Sequence, residues 1–132
     1  MEFFKRIFVW WSGATLGLMW TLRGAGKPVG EDEYGNRYFE ERKASRPGWP
    51  RRWVVYKGYA DASKVPPDWH GWLHHTYAEP PTVAPLPAKP WETEHQPNLT
   101  GTLYAYRPPG SLWRGAKTPA ATGDYEAWSP EG

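Results

Sequence analysis

Asp32-Glu33-Tyr34-Gly35-Asn36-Arg37-Tyr38-Phe39-Glu40 carries the clearest fold signal in the chain. Gly35 and Asn36 both tolerate positive φ, so the pair suits a tight turn between two short strands. Arg52-Trp53-Val54-Val55-Tyr56 is a second strand-like run, rich in β-branched and aromatic residues. The proline and glycine of Ser45-Arg46-Pro47-Gly48-Trp49-Pro50 mark the loop between them. A small, twisted, three-stranded antiparallel sheet is the expectation, with Tyr34 and Tyr38 neighbours across its first ladder.

Downstream, Pro67-Asp68 reads as the first turn of a helix. Proline is tolerated there, and a carboxylate favours the positive end of the dipole. Trp69, Trp72 and Leu73 then share one face, which is expected to pack on the sheet. Gly71 weakens this helix and Pro80 bounds it, so it is short. Upstream, residues 7–22 read IFVWWSGATLGLMWTL without a charge, between Lys5-Arg6 and Arg23. Phe4, Ile7, Phe8, Trp11, Ala14, Leu18 and Leu22 form one helical stripe, giving an amphipathic helix that Gly24, Gly26 and Pro28 end. Trp10, Trp11 and Trp20 suit an interface, so the helix is expected to lie on a partner or a membrane surface. A membrane span and a signal peptide are the alternatives.

From residue 79 onward proline dominates and periodicity is lost, apart from Thr102-Leu103-Tyr104-Ala105-Tyr106, which reads as an edge or added strand. The expected organisation is an amphipathic helix over 1–28, a sheet-plus-helix module over 29–78, and an extended proline-rich tail over 79–132. The fold class is small α+β. The tail carries Trp91, Tyr104, Tyr106 and Trp113 but few aliphatic residues. It is therefore expected to order along a partner instead of packing on itself.

The whole chain points the same way. Its 132 residues include 10 Trp but only 4 Phe, with 15 Pro, 14 Gly and a mean hydropathy of −0.76. Indole and phenol rings combine large apolar area with a polar handle, which suits surfaces buried on assembly. Trp10, Trp11, Tyr34, Tyr38, Trp53, Trp69, Trp72, Trp91, Tyr104, Tyr106 and Trp113 are the candidate partner-binding residues. The formal net charge of +2 is interleaved, not clustered, which argues against nucleic acid. A single-stranded nucleic-acid binder stacking bases on its aromatics is the reading from another class. With no cysteine, thiolate chemistry and disulfides are excluded. His70 and His74 have zinc-ligand spacing but lack a third ligand or an HExxH glutamate, so no metal site is expected. There is no phosphate loop, no nucleophile elbow and no carboxylate pair in an evident pocket, so no catalytic residue and no cofactor are expected.

Three blocks taken in order resemble one family. They are Asp32-x-Tyr34-Gly35-Asn36-x-Tyr38-Phe39-Glu40, then Arg52-Trp53-Val54-Val55-Tyr56, then Ala62-Ser63-x-Val65-Pro66-Pro67-x-Trp69-His70-x-Trp72-Leu73-His74. They are similar to the respiratory complex I accessory subunits called NADH dehydrogenase 1 alpha subcomplex subunit 12, and Gly101-Thr102 through Pro108 is similar to that family's later block. The resemblance implies a supernumerary subunit on the hydrophilic arm of NADH:ubiquinone oxidoreductase, without redox centres of its own. It implies core iron–sulfur subunits and a small zinc-binding accessory subunit as neighbours. It also implies a peripheral position on the cytoplasmic side of a bacterial inner membrane or the equivalent matrix side. A paralogous complex I assembly factor is similar too, and the Gly101-Thr102 block favours the mature subunit.

Overall fold

A computed structural model describes residues 13–115 continuously, together with Phe4, Ile7, Phe8, Gly123, Trp128 and Pro130. The chain divides into two compact units, Met1–Asn98 and Leu99–Gly132.

Helix α1 of the first unit runs over Leu16–Ala25. Thr15 is extended, and its side chain accepts from Leu18 N at 3.2 Å, satisfying one of the helix's first free amides. Gly13 holds a left-handed φ of +70°. The stripe read from Phe4 to Leu22 is therefore not one continuous helix, because the backbone leaves helical geometry just before α1. At the other end Gly26 bonds back to Leu22 O and passes directly into the sheet. A β-carbon there would sit 2.8 Å from Leu22 O, so the abrupt exit requires glycine.

Strands β1 (Gly26–Glu31), β2 (Arg37–Glu41) and β3 (Arg52–Val55) form an antiparallel sheet in the order β1-β2-β3. The strand count agrees with the sequence reading; the first turn does not. Glu31 pairs with Arg37, which puts Asp32, Tyr34 and Gly35 in a five-residue loop and not in a strand and a two-residue turn. Asp32 is the reason. Its carboxylate accepts from Tyr34 N and Asn36 N at 2.9 Å, from Asn36 Nδ2 at 2.8 Å and from the Tyr38 hydroxyl at 2.7 Å. That local bonding outcompetes further ladder pairing. β1 has a bulge between Pro28 and Gly30, as a strand containing proline requires at a sheet edge.

Helix α2 spans Pro67–Leu73, with Pro66 as cap and Asp68 in the first turn. It covers the sheet face that carries Tyr38 and Val54. The core it closes is small and aromatic: Tyr38, Val65, Trp69 and Trp72, edged by Val29, Val54, Tyr56 and Leu73. Tyr38 stacks on Trp69 at 3.9 Å with planes 6° apart, while Trp72 meets Trp69 edge-on at 5.6 Å. Burial, together with the bond to Asp32, holds the Tyr38 phenol protonated far above its usual range. Glycine makes the close packing work at Gly30, where a β-carbon would lie 2.9 Å from the Trp69 ring.

Past α2 the chain folds back within the same unit. Tyr34 Oη donates to His95 O at 2.9 Å, His95 Nε2 meets Ser63 O at 2.7 Å, and Asn98 N donates to Ser63 Oγ at 2.8 Å. Contacts of the first unit therefore continue past residue 78, the boundary read from the sequence, to Asn98.

Among its described residues, the second unit is built from turns and one 3₁₀ turn over Leu112–Arg114. The segment expected as a strand, Thr102 to Tyr106, is a turn. Thr102 Oγ1 donates to Leu99 O and accepts from Tyr104 N, and Ala105 N donates to Thr102 O. These short-range bonds take up the groups that a ladder would use.

Candidate partner-binding surface

The candidate aromatics fall into three classes of surroundings. Tyr38, Trp69 and Trp72 are the core itself, with exposures of 0, 5 and 1%. With so little surface they hold the fold and offer almost nothing for contact with another chain. Tyr34 and Trp53 are half-buried, and Tyr34 is tied by its hydroxyl to the returning segment. Trp91, Tyr104, Tyr106 and Trp113 stand 70–83% exposed. Trp10 and Trp11 lie outside the described residues.

The exposed set is densest along the chain in the second unit. Leu103, Tyr104, Tyr106, Leu112 and Trp113 all project from a chain of about a dozen residues, each at least 70% exposed. The Arg107 guanidinium sits 4.9 Å from the Trp113 ring centre, an arrangement that keeps a cation beside the apolar surface. Scattered exposed apolar residues are ordinary, whereas a run of this density along the chain is not.

The first unit adds residues that the sequence did not single out. Trp49 projects from the turn closed by Trp49 N to Arg46 O, with its ring 4.8 Å from that of His75. Tyr59 is likewise exposed, and Trp20, which the sequence already marks as suited to an interface, is more so at 83%. Proline and glycine on either side of Trp49 were the available signal, since an indole at a turn tip has no core to enter.

His70 and His74 lie with ring centres 4.2 Å apart and planes tilted by 32° on the exposed side of α2, and both line a cleft with His95. Among the described residues no group of three His, Cys, Asp or Glu is placed to hold a metal ion. Nor, among those residues, is any helix long and apolar enough to cross a membrane.

Fold and surface thus define a small α+β chain whose large apolar side chains outnumber the places in its core. The family model for NADH ubiquinone oxidoreductase subunit NDUFA12 matches residues 26–130, most of the chain. The chain belongs to this family. It is 43% identical over 94 residues to the bovine NADH dehydrogenase [ubiquinone] 1 alpha subcomplex subunit 12, covering 63% of each chain. The probable subunit 12 of Caenorhabditis elegans is 44% identical over 85 residues, covering 61% of this chain and 55% of that one. An uncharacterized protein of Rickettsia prowazekii is 41% identical over 69 residues, 52% of this chain and 67% of that one. The chain thus spans less than two thirds of the length of the bovine and nematode relatives.

Proposed function

We propose that the chain is a non-catalytic accessory subunit of respiratory complex I, on the hydrophilic arm, where it stabilises the assembly by bridging core subunits. Membership of the subunit 12 family supports the complex, and the aromatic surface supports the mode of action. The observation that carries the bridging is the run from Leu103 to Trp113, apolar and almost wholly exposed.

The physical logic is one of shared cores. Among its described residues the first unit closes a core of four buried side chains, enough to fix one sheet and one helix. The second has no buried residue among those described, so its turns need an external surface to bury Tyr104, Tyr106 and Trp113. Neighbouring iron–sulfur subunits of the arm, with the small zinc-binding accessory subunit, would provide that surface. Tyr and Trp anchors with an adjacent Arg are the residue types that carry most binding energy in such contacts. The subunit would sit peripherally at the membrane face on which the arm stands, with its N-terminal segment nearest the bilayer.

The test is deletion of residues 99–132 in the source cell, followed by native gels of gently solubilised membranes. Release of the shortened chain from complex I, with its first unit still folded, is expected. Undiminished retention would remove the bridging role from this segment.

A further inference from the structure

Beneath α1 lies a cleft of about 350 Å³, between the helix and the sheet face opposite the aromatic core. Met19, Leu22, Phe39 and Val55 make an apolar floor. Arg23 from the last turn of α1, Arg37 from the start of β2 and Arg42 just past its end line the same cleft, and among the described residues no carboxylate does. Sequence spacing gives no hint of this meeting, because α1 and β2 are brought together only through β1. Among the described residues, none of the three guanidinium groups has a carboxylate within ion-pair distance. By contrast, Arg51 and Arg52 are paired with Glu41 and Glu40. Like charges gathered without counterions around an apolar floor repel one another unless an anion joins them.

From this geometry we infer that the cleft takes an anionic phospholipid of a bilayer surface, its phosphate among Arg23, Arg37 and Arg42 and its first acyl carbons on the apolar floor. Guanidinium groups bind phosphate through paired parallel donors, so three arginines lining one cleft suit a phosphodiester better than lysines would. The volume is at the small end of ligand sites. It admits part of one chain but not a helix, which with side chains is about 10–12 Å across. What surrounds the cleft also fits lipid. Leu16, Met19 and Trp20 are exposed on α1, as are Phe4 and Phe8. Residues 3–30 carry Lys5, Arg6, Arg23 and Lys27 and no acid. Apolar residues, an exposed indole and cations without carboxylates are what an interfacial helix presents to an anionic membrane. An acidic segment of another subunit is the competing occupant, and it would leave Trp20 without a purpose.

The inference rests on the peripheral membrane position proposed above and can fail separately from it. The full chain is sedimented with vesicles of phosphatidylcholine alone, and with vesicles of phosphatidylcholine mixed with phosphatidylglycerol. Binding to the mixed vesicles only, weakened by salt, is expected. The pair Arg37→Gln and Arg42→Gln should reduce that binding by roughly 20- to 30-fold, while Lys57→Gln with Lys89→Gln, the same change in net charge, should lower it far less. Because Arg42 Nε also donates to Gly26 O, the single exposed change Arg37→Gln is run beside the pair, with circular dichroism on each variant. Equal binding to both kinds of vesicle, or equal loss in the lysine control, overturns the cleft as a lipid site. So does the absence of vesicle binding. Co-purification of complex I subunits with the same variants is scored independently. A chain that stays in the complex but ignores vesicles sinks only the lipid site and leaves the acidic segment as occupant. A chain that binds vesicles but leaves complex I behind sinks the subunit reading instead.

Discussion

The Arg52 guanidinium lies 4.5 Å from the centre of the Trp72 ring and donates to the carbonyl of that same residue at 2.5 Å. It also donates to Tyr77 O at 3.0 Å, to Ala78 O at 2.9 Å and to Glu40 Oε1 at 3.1 Å, and its side chain is only 6% exposed. One side chain of β3 thereby satisfies a terminal carbonyl of α2, fixes the chain leaving that helix and roofs the largest core residue. The buried indole N–H of Trp72 has no acceptor among the described residues, so ring packing and this cation hold the ring.

Arg52→Lys is therefore expected to destabilise the chain by about 2–4 kcal/mol, because an ammonium cannot reach three carbonyls and a carboxylate from one plane. Urea unfolding followed by tryptophan fluorescence measures it. A lysine variant as stable as the parent would mean that the three carbonyls find other donors.

Gly71→Ala gives a second expectation. Alanine is the better helix former by up to about 1 kcal/mol. At Gly71, however, the added carbon would meet Tyr77 Cε2 at 2.3 Å. The ring must swing away, and the substitution should cost about 1 kcal/mol net. In a Tyr77→Ala background the obstacle is gone, so the same change should become stabilising. A double-mutant cycle by denaturant unfolding reads the change of sign, and simple additivity would show that Tyr77 yields without cost.

Acid sensitivity follows from Glu41. The Ser45 hydroxyl, then the Arg51 and Ser45 amides, then the Arg51 guanidinium hold its carboxyl down at about 2 from a usual 4.5. A carboxyl depressed in the folded state stabilises the fold above its unfolded value, and that contribution fades as pH falls from about 4.5 towards about 2. Urea midpoints of the parent should decline across that window, and Glu41→Gln should flatten the decline. A variant with the parent's full slope would assign the acid sensitivity to other carboxylates.

Much of this was legible in the residues, and the failures have local causes. The Trp69, Trp72 and Leu73 spacing after Pro67-Asp68 defines α2 and its buried face, since few alternatives exist for a short helix beginning at proline. β1 was not legible. Gly-Lys-Pro-Val-Gly-Glu has the composition of a loop, and it is a strand only because β2 pairs with it and Gly30 lets Trp69 approach. The turn was misplaced because an Asp32 carboxylate with four donors is a three-dimensional fact. Tryptophan is ambiguous in principle, since one ring chemistry serves core and interface alike. Hence Trp69, although expected to pack on the sheet, stood beside Trp113 among the candidate partner-binding residues, while one is buried and the other exposed. The arginine-lined cleft had no linear signature at all.

That ambiguity allows stability and association to be separated by substitution. Trp69→Ala removes a ring stacked on Tyr38 and should cost about 3–5 kcal/mol, enough to unfold a core this small. Tyr104→Ala with Trp113→Ala removes two exposed rings that touch little of their own chain. Surface changes of this kind shift stability by no more than about 0.5 kcal/mol. If those rings are anchors, the double variant should keep the parent's urea midpoint while its recovery with complex I subunits falls by about tenfold or more, as for loss of hot-spot residues. Pull-down from gently solubilised membranes, with unfolding curves on the same preparations, makes the comparison. Full recovery of the double variant would show that the second unit's rings are not what holds the chain to its neighbours. A lowered midpoint would instead return them to the fold of the chain itself.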